Sequence, residues 1–317
     1  MTADSYDLIV FGGGAGGFVS SKFAHGLGKK VLLIEKHKLG GECTWYGCVP
    51  SKALLKSSHQ HYLGFKSITP FEYTKGVVAK VYATHTPDKL TAQGLDLELG
   101  SPKFLSKNSI EVNGKTYTFK KCIISTGSSP FIPPVKGIND VEYLTNNTIF
   151  NLTKAPESIG IMGGGPIGIE MAFAFAWLGS KVYLFEMGKR IMPRDDEEAA
   201  GIIQSRLLSL GAEIYTNTTI TEIKKDNDHV IIIAGNNNIK VEKLLVSAGR
   251  KTNTDGLGLE NAMVAYDKKG IKVDGYLKTT NENIFACGDV LGAYQFSHTA
   301  EYTAKIAVNN AFIPLKK

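Results

Sequence analysis

Cysteine is scarce in this sequence, with four in 317 residues. So few in so long a chain do not build a secreted disulfide scaffold, and a close pair in a reducing compartment is read as redox-active. Metal-ligand spacing is also missing. Cys43 and Cys48 have no second pair following them, and a closed zinc site needs about four ligands. No apolar run approaches the roughly 18 residues of a membrane span, and the N-terminus shows no basic-then-apolar leader. No block of one charge sign occurs. The excess of 36 basic over 30 acidic residues, net +6, is spread along the chain. It favours anionic small ligands weakly and makes no case for nucleic acid. The expectation is a cytoplasmic protein with no membrane or nucleic-acid partner and no metal site. What is present is length and apolar content, 43% hydrophobic residues, enough for two domains with full cores.

The stretch Gly40-Gly41-Glu42-Cys43-Thr44-Trp45-Tyr46-Gly47-Cys48-Val49-Pro50-Ser51-Lys52 follows a strand-like run that ends at Glu35. On an ideal helix, residues five apart lie about 8.6 Å from Cα to Cα. A disulfide spans about 4.4–6.8 Å. A Cys43–Cys48 bridge therefore requires a bent first turn, for which Gly47 and Pro50 supply backbone freedom and restriction. A bridge held off ideal geometry is more easily reduced. The spacing alone leaves open a bridge, two separate thiols or, less readily, a metal pair.

Residues 6–36 read as strand, glycine turn, helix, strand. Leu8-Ile9-Val10-Phe11 is a buried-strand run, and Gly12, Gly14 and Gly17 fit G-x-G-x-x-G. Val31-Leu32-Leu33-Ile34 is the next strand, and Glu35 ends it, 21 residues beyond Gly14. In this pattern the first glycine turns the chain, the second lets backbone approach a pyrophosphate, and the third lets helix pack on strand. The helix N-terminus faces the phosphates, and the acid accepts hydrogen bonds from ribose hydroxyls. Residues 157–187 repeat the unit without a gap at an offset of 151 positions. Gly163, Gly165, Gly168 and Glu186 match Gly12, Gly14, Gly17 and Glu35. Leu178-Gly179 and Lys181-Val182 match Leu27-Gly28 and Lys30-Val31. Two copies in register, each with its acid, indicate two dinucleotide sites.

Between and after the repeats the sequence is plainer. Ala53–Tyr62 looks helical, residues 70–93 hold a second helical stretch, and Thr91–Gly94 leads into short strands. Asn113-Gly114 marks a hairpin within an alternating run. Cys122-Ile123-Ile124-Ser125 is a buried strand, with Cys122 read as core. Pro130, Pro133 and Pro134 mark a crossing out of the first domain. Residues 195–211 form a helix opened by Asp195 and Asp196, and residues 213–247 form short strands. A further strand ends in the Gly288-Asp289 turn, before a helix over Ser297–Phe312.

With these residues in this order, the chain resembles the pyridine nucleotide-disulfide oxidoreductases of the glutathione reductase, lipoamide dehydrogenase and mercuric reductase type. The resemblance rests on GGGAGG with Glu35, GGECTWYGCVPSK, STGSSP, GGGPIG with Glu186, SAGRKTN and TNENIFACGD. It implies an α/β fold of two Rossmann-like, three-layer ββα domains, the NAD(P) domain inserted in the FAD domain. The segments would be 1–150 (FAD), 151–270 (NAD(P)) and 271–317 (FAD). FAD would be held by Gly12, Gly14, Gly17, Glu35, Lys36, Gly41, Thr126, Gly127, Asp289 and Ser297. NAD would be held by Gly163, Gly165, Gly168, Glu186 and Gly249. The resemblance further implies electron flow from NAD(P)H through FAD to a Cys43–Cys48 disulfide. Cys48 would be the flavin-side thiol, and Cys43 the interchange thiol that attacks a small-molecule or protein-bound disulfide. Lys52, paired with Glu170, would stabilise charge near the flavin.

The sequence departs from that family's pattern in several places. Glu42 stands where Thr is usual before the first cysteine, an anion expected to raise the Cys43 pKa. Pro166 replaces a residue that gates the nicotinamide pocket in some members. Glu186 and Gly168 favour NADH, while Lys189 and Arg190 leave NADPH open. The interface domain that builds the dimer, with its His and Glu acid/base pair, has no counterpart before Lys317. The expectation is a monomer with poor disulfide turnover, whose full-length form is a homodimer. His298 is read as structural or as a cofactor contact. Two other readings stand beside the reductase: an NADH oxidase or diaphorase using flavin alone, and a non-catalytic flavin- or nucleotide-binding protein.

Overall fold

A computed structural model describes residues 4–65 and 69–313. Residues 1–3, 66–68 and 314–317, which fall within the expected FAD segments, lie outside the described ones. The chain forms two compact units. One comprises Met1–Thr44, Lys80–Ser129 and Lys251–Lys317; the other comprises Trp45–Ala79 and Pro130–Arg250. These limits are set by packing, and they differ from the expected nucleotide-domain limits near 150 and 270. The chain leaves the first unit at Pro130, where the prolines marked a crossing.

The first unit is built on a sheet whose parallel strands run in the order Asp96–Leu99, Val31–Glu35, Asp4–Phe11, Lys115–Ile124. Ile284–Ala286 adds in parallel beside Lys115–Ile124, with Ile284 opposite Cys122. Antiparallel strands Ser109–Val112 and Lys103–Ser106 extend the sheet. The hairpin at Asn113-Gly114 has both residues at positive φ, 52° and 75°, as a two-residue turn requires. Every residue of Leu8–Phe11 is fully buried because both sheet faces are covered. Ile9 and Phe11 pack with Phe104, Ile110 and Leu259. Leu8 and Val10 pack on the other face with Ala24, Ala304 and Ala307. Those alanines lie on the helices Ala15–Gly26 and Ser297–Phe312.

The second unit repeats this design. Parallel strands run in the order Glu213–Tyr215, Lys181–Phe185, Ser158–Met162, Lys243–Val246. Ile159 and Ile161 point to a core shared with Phe175 of the helix Pro166–Trp177 and with Leu54 of the helix Cys48–Tyr62. The other face takes the antiparallel strands Ile220–Asp226, His229–Ala234 and Asn237–Val241. A Cβ on Gly160 would lie 2.3 Å from Ile232 Cδ1, so glycine lets that meander close on the sheet. The helix Glu197–Ser209 is capped by Asp196, whose carboxylate accepts from Ala199 N at 2.9 Å.

Residues 70–93 differ from the single helical stretch expected. Helices Pro70–Tyr82 and Pro87–Ala92 are separated by four residues, because Pro87 disfavours helical backbone at Thr86 before it. The other helix begins at Cys48, earlier than the expected Ala53, and accommodates Pro50 in its first turn. No helix among the described residues is long and apolar enough to cross a membrane.

Candidate functional site

The strand Asp4–Phe11 ends at Gly12, whose φ of +95° admits glycine and few other residues. A Cβ on Gly12 would lie 2.5 Å from the Ser125 carbonyl oxygen, and one on Gly17 would lie 1.7 Å from the Gly12 carbonyl oxygen. Gly14 is different: its Cβ would meet only Gly41 Cα, at 3.7 Å. So the first glycine turns the chain and the third lets helix close on strand. The second leaves bare backbone at the N-terminus of Ala15–Gly26. Glu35, 8% exposed, accepts from Gly13 N at 2.7 Å on Oε2 and from His37 N at 2.8 Å on Oε1.

The second glycine turn has the same construction. Gly163 has φ +109°, and its Cβ would lie 2.4 Å from the Ser247 carbonyl oxygen. A Cβ on Gly168 would lie 2.0 Å from the Gly163 carbonyl oxygen, while one on Gly165 meets nothing within 4 Å. Glu186 accepts from Gly164 N at 2.8 Å and from Gly188 N at 2.7 Å. Each turn is thus a cradle of open backbone at a helix N-terminus with a fixed carboxylate at its side. This donor set fits the pyrophosphate and ribose of a dinucleotide such as FAD or NAD(P) at each turn.

Two serines that sequence reasoning missed complete the cradles. Ser125 Oγ donates to Phe11 O at 2.7 Å, and Ser247 Oγ donates to Met162 O at 3.0 Å. Each ties the end of a neighbouring strand to its glycine turn. Their signal was the recurrence of Ser-Thr-Gly and Ser-Ala-Gly. It fell outside the 151-residue register because the intervening elements differ in length.

All ten residues expected to hold FAD lie in the first unit. Gly41 has φ +57°, and its Cβ would lie 2.5 Å from Gly14 Cα. Gly40 N donates to Gly13 O at 2.9 Å. The segment leading to Cys43 therefore runs directly against the glycine turn. Asn253 clamps Thr126 and Gly127. It accepts on its carbonyl from Thr126 Oγ1 at 2.7 Å, and donates through its amide N to Gly127 O at 2.9 Å. Ser128 Oγ donates to Asp289 Oδ2 at 2.6 Å, placing the Gly288–Leu291 turn beside that segment. Ser297 opens its helix, and Lys36 is exposed. His298 is exposed and stacks on Phe296, with ring centroids 5.4 Å apart.

Cys43 is half-buried on the short helix Gly41–Trp45, and Cys48 is exposed at the start of Cys48–Tyr62. Between them Gly47, at φ −131° and ψ −121°, breaks the helix, so the chain bends between the two thiols. In the second unit Lys52 Nζ donates to Glu170 Oε1 at 2.5 Å, joining the helices Cys48–Tyr62 and Pro166–Trp177. Gly249 has φ +126° beside the second cradle's Ser247. Arg190 donates to the carbonyls of Ile191, Met192, Pro193 and Asp195, the last at 2.6 Å, and so folds its own loop. Cys122 and Cys287 are buried. Burial pushes the Cys287 thiol up to about 12 and Cys122 well above its ordinary value, so neither is a ready nucleophile. Among the described residues no group of three or more His, Cys, Asp or Glu is placed to hold a metal ion.

Residues 6–304 match the family model described as pyridine nucleotide-disulphide oxidoreductase. The chain is 32% identical to mercuric reductase of Staphylococcus aureus over 96% of its own length and 59% of that protein. It is 34% identical to dihydrolipoyl dehydrogenase of Geobacillus stearothermophilus, over 95% of its own length and 68% of the relative. Among solved structures it superposes on the HOCl-induced flavoprotein disulfide reductase RclA from Escherichia coli with a TM-score of 0.90 at 29% identity. That match covers 98% of this chain and 72% of the other.

Proposed function

Because the chain belongs to the pyridine nucleotide-disulphide oxidoreductase family, we propose that it carries electrons from NAD(P)H, with NADH favoured, through FAD to a Cys43–Cys48 disulfide. From that pair they pass to a disulfide or related acceptor. Members of this family use FAD and NAD(P)H. In our reading residues 1–150 and 271–317 form the FAD domain, and 151–270 the NAD(P) domain. When bound, the flavin supplies a relay between a hydride donor and a thiol pair.

The chain's own residues divide the remaining work. Backbone N–H groups at Gly14 and Gly165 receive the two pyrophosphates, and Glu35 and Glu186 accept from ribose hydroxyls. Glu186 repels a 2′-phosphate, and Arg190 spends its donors on four carbonyls of its own loop, while the charges of Lys189 and Arg190 leave NADPH open. Two electrons and two protons open the Cys43–Cys48 bridge to two thiols. The Cys43 thiolate then attacks one sulfur of the acceptor disulfide and expels the other as a thiolate. Cys48 attacks Cys43 in the mixed disulfide, which re-forms the bridge and releases the second thiolate. The Lys52 ammonium stabilises the Cys48 thiolate, and Glu170 aims it. Lys52 is 61% exposed, so as a surface ion pair it is worth about 0–1 kcal/mol to folding. Its value lies in placement.

The observation that carries this reading is the second cradle, built like the first, together with a cysteine-bearing segment laid against the first. Anaerobic titration with NADH tests it. Uptake of four electrons per chain implicates flavin plus bridge. Uptake of two implicates flavin alone, the oxidase reading, and none implicates a nucleotide-binding protein. Cys48→Ser should reduce four to two, and unchanged uptake would refute the role given to Cys48.

A further inference from the structure

His85 lies in the break between the helices Pro70–Tyr82 and Pro87–Ala92. Its ring meets the segment that carries Cys43. Thr44, 5% exposed, follows Cys43, and its hydroxyl lies 3.5 Å from His85 Nε2. A Cβ on Gly40 would come within 2.6 Å of the same nitrogen, so the ring fits there because Gly40 has no side chain. Phe18 and Tyr82 hold the ring edge-on from two sides, at centroid distances of 5.4 and 5.8 Å.

We assign the tautomer from the neighbouring hydroxyls. Thr84 Oγ1 donates to Val81 O at 2.7 Å, so its oxygen accepts from His85 Nδ1, 3.1 Å away. In this assignment Nδ1 carries the proton, which leaves Nε2 to accept from the Thr44 hydroxyl. Burial, with Lys22 adding to it, holds the imidazole below its ordinary pKa.

On its far side the Gly40-Gly41 segment rests on Gly13 and Gly14 of the first cradle. We propose that His85 is a positioning residue: it braces the Gly40–Thr44 segment against the first glycine turn and sets the direction from which Cys43 attacks its acceptor. This rests on Cys43 being the interchange thiol. Nothing in the G-x-G-x-x-G or Cys43–Cys48 patterns points to a histidine some 40 residues downstream.

The test uses the FAD-loaded chain reduced with NADH under anaerobic conditions. The rate of adduct formation at Cys43 with a small aromatic disulfide is read by peptide mass, beside flavin reduction and melting temperature. Thr44→Val and His85→Ala should each slow adduct formation about tenfold, the scale of a small misplacement of a reacting group. Flavin reduction should stay unchanged. Thr44→Ser, which keeps the hydroxyl, should restore the rate. The double variant should be no slower than the slower single, since both remove one contact. Singles within about twofold of the parent, or factors that multiply in the double, overturn the proposal. If His85→Ala does not fold, the Thr44→Val and Thr44→Ser pair decides. Cys43→Ser tests the premise separately: disulfide reduction that survives it refutes the interchange role itself.

Discussion

Glu42 precedes Cys43 on a five-residue helix, and a carboxylate one residue from a thiol adds negative potential that disfavours the thiolate. Replacing Glu42 by Thr should therefore lower the Cys43 pKa, by about one unit or less for a partly exposed neighbour. The pH dependence of Cys43 alkylation, mapped by peptide mass, reads this directly. A midpoint that rises or stays put removes Glu42 from the account. The same measurement should leave Cys122 and Cys287 unmodified in the folded protein, because both thiols are buried away from reagent and base.

The elements that matter are the two glycine turns, and they separate binding from folding. An alanine at Gly168 would drive its Cβ to 2.0 Å from the Gly163 carbonyl and push the helix Pro166–Trp177 off its strand. An alanine at Gly165 meets nothing and has backbone angles open to any residue, yet it covers the face offered to a pyrophosphate. Gly165→Ala should keep the parent melting temperature and weaken NADH binding about tenfold or more, whereas Gly168→Ala should lose stability first. Calorimetric binding beside thermal unfolding separates the two. Equal losses of both quantities in the two variants would deny the turn its division of labour. These turns were legible in the sequence because glycine spacing, strand and acid are all local, and one 151-residue shift superposes them. The Asn113-Gly114 hairpin was legible for the same reason. Ser125, Ser247 and His85 were not, since each acts through a partner brought near by the sheet or by a helix break. Nor was the contact of Gly40-Gly41 with Gly13-Gly14, which depends on tertiary closure.

At the scale of the whole chain, acid stability follows from groups whose folded pKa values are depressed. Hydrogen bonds from Lys120 and the Lys30 backbone lower Asp7, and those from Lys181 and Tyr215 lower Glu213. For these the unfolded chain binds protons first, so their stabilisation is complete above about pH 5 and is lost as pH falls through the unfolded values and then the lowered ones. His85 behaves likewise one step higher. The unfolded ring protonates near 6.5 while the folded ring resists, so stability falls as pH drops below that value. Thermal unfolding should show two descending steps on acidification, and His85→Gln should remove the upper one. An unchanged upper step would assign it elsewhere. A last consequence belongs to Glu35 and Glu186. Each acid accepts at one oxygen from an amide of its glycine turn and at the other from the amide two residues on. An incoming nucleotide would therefore meet, at each turn, a carboxylate whose direction the chain itself sets. Its capture should be governed by diffusion and by what water it displaces, with scant contribution from loop rearrangement.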